Sequence, residues 1–80
     1  MKIIRQFDVF DKHSEELKDE IIIENLDIEA VKSLVDLING DSELYYAYQV
    51  SGDLQDYFEN LGYNFEMDKY DYFLACYQDN

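Results

Sequence analysis

Two stretches of the chain repeat their apolar residues at helical spacing, and four others alternate or concentrate them as strands do. Ile28, Val31, Leu34, Val35 and Ile38 recur at steps of three and four residues, which lays side chains along one face of an α-helix. Asp27 stands where an N-cap belongs and Asn39-Gly40 where a left-handed stop is needed, so the spacing predicts a helix from Ile28 to Asn39. Leu54, Tyr57, Phe58 and Leu61 follow an i, i+3, i+4, i+7 pattern and predict a second helix from Gly52 to Leu61. Ser51 is available to cap its free N–H groups, Asp53 complements its positive end, and Gly62 is placed to end it.

The remaining segments read as strands. Ile3 to Phe10 is rich in β-branched and aromatic residues, and Leu17 to Glu24 alternates, with the polar Asp11–Glu16 stretch between them as a hairpin loop. Leu44, Tyr46, Tyr48 and Val50 alternate with Tyr45, Ala47 and Gln49, a half-buried strand. Tyr70, Tyr72, Leu74 and Cys76 alternate with Asp71, Phe73, Ala75 and Tyr77, a final strand covered on both faces or central in the sheet. The expected fold is an α+β two-layer sandwich in the order β-β-α-β-α-β: about four mainly antiparallel strands with both helices on one face. The pattern leaves strand order open.

With 80 residues, no proline and three isolated glycines, the chain is expected to form one domain, residues 1–80, without a linker or repeat. A chain of this size buries close to 60% of its unfolded surface. Apolar residues make up 48% and aromatic residues 16%, too much for a disordered acidic tail. The longest aliphatic run is Ile21-Ile22-Ile23, and the segment from Met1 to Gln6 lacks the apolar stretch of a signal peptide. No membrane span and a cytoplasmic location are therefore expected. The single cysteine, Cys76, excludes an internal disulfide.

Net charge sharpens this picture. Of the −13, nine units fall after Ser33, where ten acids face the single base Lys69; before it nine acids meet five bases. All eight tyrosines lie in the same C-terminal half. On the second helix Asp53, Asp56 and Asn60 form a row opposite the apolar stripe, with Glu59 beside it. Like charges at this spacing repel and add no packing. Such a row either keeps a small protein soluble or meets a cationic partner, whose approach a negative patch accelerates.

Other functions find little support. Phosphate would be repelled and the six bases form no cluster, which excludes direct nucleic-acid binding, and no Gly-rich loop is present to cradle a phosphate. Cys76 sits in an apolar alternation, where cysteine is usually a small buried hydrophobe, and His13 in a charged turn, so neither predicts a catalytic pair. Neither Asn39–Glu43 nor Asp68–Asp71 has the ligand ladder of a calcium loop. The reading is of no catalytic residue, cofactor, metal or small-molecule substrate.

The ending Asp68-Lys69-Tyr70-Asp71-Tyr72-Phe73-Leu74-Ala75-Cys76-Tyr77, preceded by Tyr46-Ala47-Tyr48-Gln49-Val50 and a short acidic helix, resembles a family of short bacterial proteins. That family also opens with a hairpin like Phe7–Phe10 to Ile21–Ile23. Its members resemble the immunity proteins encoded beside toxins of contact-dependent growth inhibition and related polymorphic toxin systems. The similarity covers most of the chain, and its specific part is Asp68 to Leu74. It implies a cytoplasmic antidote that binds the C-terminal domain of a toxin, often a nuclease whose phosphate-holding cleft is basic. An acidic cover complements such a cleft. The partner-binding residues expected from charge and aromatic content are Asp53, Asp56, Glu59, Glu66, Asp68 and Asp71, with Tyr45 and Tyr70 as anchors. Rival readings are a nucleic-acid mimic that occupies a DNA-binding protein, and a small adaptor whose charge serves solubility.

Overall fold

The computed structural model describes residues 2–79, so Met1 and Asn80 of the expected 1–80 domain lie outside the described residues. The elements are β1 (Lys2–Asp11), β2 (Leu17–Ile22), α1 (Ile28–Lys32), β3 (Tyr48–Gln49), α2 (Gly52–Asn60) and β4 (Tyr70–Asp79). The four strands form one antiparallel sheet in the order β2-β1-β4-β3. Its centre is the ten-residue pairing of β1 with β4, from Lys2 opposite Asp79 to Asp11 opposite Tyr70. The last strand is thus central, one of the two placements its alternation predicts.

Strand alternation decides which residues meet the helices. Phe7 and Val9 of β1 and Tyr72 and Leu74 of β4 point to one face, where they form a core with Val31 of α1 and Leu54 and Phe58 of α2. Both helices therefore pack on a single face, giving the α+β two-layer architecture. Phe7 is fully buried and receives Phe58, Tyr63 and Phe65 edge-to-face, with centroids at 4.8, 5.2 and 5.3 Å. Such ring pairs add about 0.5–1.5 kcal/mol each to area burial.

Helix α2 ends where its glycine predicts. Gly62, at φ 105°, donates its N–H to Glu59 O at 3.0 Å, and Tyr63 donates to Phe58 O at 3.1 Å, the two bonds of a Schellman motif. The Tyr63 ring rests edge-on against Phe58 at 5.8 Å, supplying the apolar contact that accompanies the motif. Two details of the predicted helix fail. Ser51 makes no side-chain capping bond, since Gly52 turns the chain at φ 53° between it and the helical N–H groups. Leu61 is 62% exposed because the helix stops one residue short of it.

The first predicted helix is much shorter than its apolar spacing implies. Asp27 is its N-cap, accepting from Ala30 N–H at 3.1 Å, but α1 closes at Lys32. There Ser33 Oγ donates to Ala30 O at 2.7 Å and Leu34 N–H to Val31 O at 2.9 Å, which tightens the last turn. Leu37 is extended, and Asn39 and Gly40 take their left-handed conformations in a separate 3₁₀ turn, Ile38–Gly40. Leu34, Val35 and Leu37 still pack against the core. The period marked burial there without marking helix.

The predicted Leu44–Val50 strand is reduced to Tyr48–Gln49. The cause is Asp41, whose carboxylate accepts from Tyr45 N–H at 2.8 Å, Tyr46 N–H at 2.9 Å and Tyr48 OH at 2.9 Å. A carboxylate that takes two successive backbone donors competes with a ladder. Leu44 enters the left-handed region at φ 56° as the chain folds around it. Cys76 is half-buried rather than sealed in the core, lying beyond Leu74 beside Ile3, Tyr45 and Gln78. Among the described residues no helix is long and apolar enough to cross a membrane.

Candidate functional site

The outward row of α2 is the simplest acidic surface. Leu54 and Phe58 face the core, which turns Asp53, Asp56 and Glu59 to solvent. Glu59 accepts a 3.3 Å hydrogen bond from Gln55 Nε2. The four salt bridges among the described residues join Lys12 to Asp71, Lys18 to Glu16, Lys32 to Glu29 and Lys69 to Glu66, so none neutralises this row.

Glu66, Asp68 and Tyr70 belong to the connection from α2 into β4. Glu66 N–H donates to Tyr72 OH at 3.0 Å, its carbonyl accepts from Lys69 and Tyr70 N–H, and its carboxylate lies 3.6 Å from Lys69 Nζ. Asp68 is exposed in the same turn. Tyr70 is half-buried, edge-to-face on Tyr72 at 6.4 Å, and shares a groove with Glu66, Val9, Ile21 and Asn64. It is more a lid on the core than a free anchor.

Tyr45 is a different case, 58% exposed with the Arg5 guanidinium 5.7 Å above its ring. Arg5 also donates to the carbonyls of Leu44 and Glu43, which ties the 41–46 turn to β1. The Asp41 carboxylate fixes the same turn from the other side, so the exposed Tyr45 and Tyr46 project from an immobilised backbone. Burial pushes the Asp41 carboxyl up, but the bonds from Tyr46, Tyr45 and Tyr48, with the charge of Arg5, outweigh it and hold it below its ordinary value.

The expected residues therefore do not form one patch. Asp53, Asp56 and Glu59 share a helix face; Glu66 and Tyr70 share a groove. Tyr45 sits with Arg5, whereas Tyr70 pairs with Asp11, six residues further along β1 and so about 20 Å away. Asp71 lies on the opposite face of the sheet, because β4 alternates and Tyr70 and Tyr72 occupy the core side.

That opposite face holds residues the sequence reading missed. Gln6 Nε2 donates to Asp8 Oδ1 at 2.6 Å and to Glu20 Oε2 at 2.7 Å, while Tyr77 OH donates to Asp8 Oδ2 at 2.5 Å. Gln6 and Asp8 are buried at 5% and 6% exposure although no helix covers them. The bond to Asp8, then burial, then the charges of Asp8 and Glu20 push the Tyr77 hydroxyl up to about 12. Further along, Phe10 and Phe73 meet edge-to-face at 5.7 Å. The sequence signal was Gln6 and Asp8 breaking the apolar series Ile4 to Phe10 at every second residue; reading it needed the register that brings Glu20 opposite Asp8. Among the described residues no group of three or more His, Cys, Asp or Glu side chains gathers as a metal cluster.

Residues 4–75 match the family model of a domain of unknown function, DUF7683. Comparison with curated proteins finds no match, and comparison with solved structures finds none either.

Proposed function

The chain belongs to the DUF7683 family, and we propose that it acts as a stoichiometric inhibitor of the immunity-protein type. In this reading it works in the cytoplasm, performs no chemistry of its own, and neutralises the C-terminal domain of a toxin, a basic nuclease. The observation that supports it is the α2 row: Asp53, Asp56 and Glu59 are exposed and unneutralised on a helix whose other face seals the core. Their mutual repulsion is a cost in the free protein that a cationic partner relieves.

Two further features favour a protein partner. Tyr45 and Tyr46 project from a turn pinned by Asp41 and Arg5, and rigid tyrosines give contact area at low entropic cost. A standard interface takes about 800 Å² from each partner, a modest part of the 5381 Å² of accessible surface.

The test is association with the toxin domain encoded beside this chain. Reversing Asp53, Asp56 and Glu59 together to lysine should slow association at low salt by about tenfold or more. Unchanged association removes these residues from the interface. A protein that competes with many unrelated DNA-binding proteins is a nucleic-acid mimic instead, and one with no tight partner is an adaptor whose charge serves solubility.

A further inference from the structure

We propose that the helix-free face of the sheet carries a seat for an arginine side chain of a basic protein partner, in the corner between Phe10 and Phe73. The inference rests on reading the domain as a binder of a basic protein, and it names where one of that partner's cations enters. The corner is a concavity of about 420 Å³ lined by Phe10, Asp11, Glu15, Ala47, Asp71 and Phe73. Its two aromatic walls stand at 83° to one another, and Ala47 contributes only a methyl group on a third side. An aliphatic stem fits such walls, and a guanidinium stacks on aromatic rings better than an ammonium does.

The rim supplies the matching charge. Asp11 is oriented by Ser14 N–H and His13 N–H, both donating to Oδ1 at 2.9 and 2.8 Å, which holds its carboxylate on the rim of the corner. The same two bonds hold its carboxyl below the ordinary value. Glu15 is exposed, and its carboxylate makes no ion pair among the described residues. Asp71 already draws a cation of this chain, Lys12 Nζ at 3.6 Å, in a pair exposed on both sides and open to exchange. From the corner the surface continues past Glu20 to Ile22 and Tyr77, 57% and 47% exposed. Acids and apolar groups together suit a protein surface carrying arginine, where a free cation would use the rim alone. The edge of β2 offers less, since Asp19 Oδ1 already accepts Glu20 N–H at 2.8 Å.

The test is NMR titration of the isotope-labelled protein with acetyl-Gly-Arg-Gly-amide. Amide shifts should concentrate at Phe10, Ala47, Asp71 and Phe73, and the Gly-Lys-Gly peptide should bind roughly threefold more weakly. Ala47→Trp, an exposed position, should plug the corner and lower arginine-peptide affinity about tenfold, while Lys12→Gln, by freeing Asp71, should raise it about twofold. Shifts spread along α2, or an Ala47→Trp protein that keeps its native spectrum and binds the peptide as well as before, would overturn the proposal. If the wild-type protein binds no toxin domain, the inhibitor reading falls while the peptide result still decides the corner. If the toxin binds and Ala47→Trp leaves its affinity unchanged, the corner is not part of that interface and the proposal fails alone.

Discussion

Replacing Asp41 by alanine removes the group that converts an apparent strand into a fixed turn. Asp41 is 9% exposed and accepts three hydrogen bonds, from Tyr45 N–H, Tyr46 N–H and Tyr48 OH. The two backbone donors belong to exposed residues and regain water, so each loss costs about 0.5–1 kcal/mol. The Tyr48 hydroxyl is buried and still accepts Ile38 N–H at 3.1 Å, but it loses its only acceptor among the described residues, costing about 1.5 kcal/mol. The total of about 3 kcal/mol corresponds to a Tm lowered by roughly 12–24 °C in a domain of this size. Urea unfolding followed by far-ultraviolet circular dichroism measures it directly.

Tyr48→Phe alone should cost about 1–2 kcal/mol, and the double variant should lose about 1 kcal/mol less than the sum, because one bond is counted in both. The pH dependence has a definite sign. Because the folded Asp41 carboxyl titrates below its ordinary 3.8, the unfolded state takes up the proton first as pH falls. Its stabilisation is complete above that ordinary value and fades as pH drops through the folded one, so wild type and Asp41→Ala should converge below about pH 4. A loss under about 0.5 kcal/mol at neutral pH, or strict additivity with Tyr48→Phe, would refute this account of the turn.

Two other outcomes are expected. Phe58→Ala should destabilise the fold by about 3–5 kcal/mol, since a 1% exposed ring packed on Phe7 leaves a cavity; urea midpoints close to wild type would contradict the assigned core. In an ultraviolet titration of tyrosinate, Tyr77 should ionise at about 12, so the stabilisation from its bond to Asp8 is intact below about 10 and lost as pH rises through the folded value. Tyr77→Phe should delete that late step, and its persistence would place the bond elsewhere.

What the sequence made legible followed burial more closely than backbone conformation. The Gly62 stop and the Asp27 cap were readable because each rests on local chemistry, and the long alternation of β4 narrowed it to a strand either covered on both faces or central. The extended Ile28–Asn39 helix was not, because Leu34, Val35 and Leu37 are buried by a turn as well as they would be by a helix. The Leu44–Val50 alternation misled for a related reason: Asp41 lies outside it yet takes the N–H groups of Tyr45 and Tyr46. For the candidate site, α2 periodicity sufficed to expose Asp53, Asp56 and Glu59. The β4 alternation already separates Asp71 from Tyr70, but charge alone does not show which face a residue serves, and the Gln6–Asp8–Glu20–Tyr77 network needed both the hairpin register that sets Glu20 opposite Asp8 and the long-range pairing of β1 with β4 that brings in Tyr77.

The central claim concerns what the −13 charge is for. Its most direct test is a titration of this protein with the purified toxin domain proposed as its partner, with association rates followed across a range of sodium chloride concentrations. The account predicts a one-to-one complex of about nanomolar affinity whose association rate falls steeply with salt. An absent complex, or one whose association rate ignores salt, would contradict it.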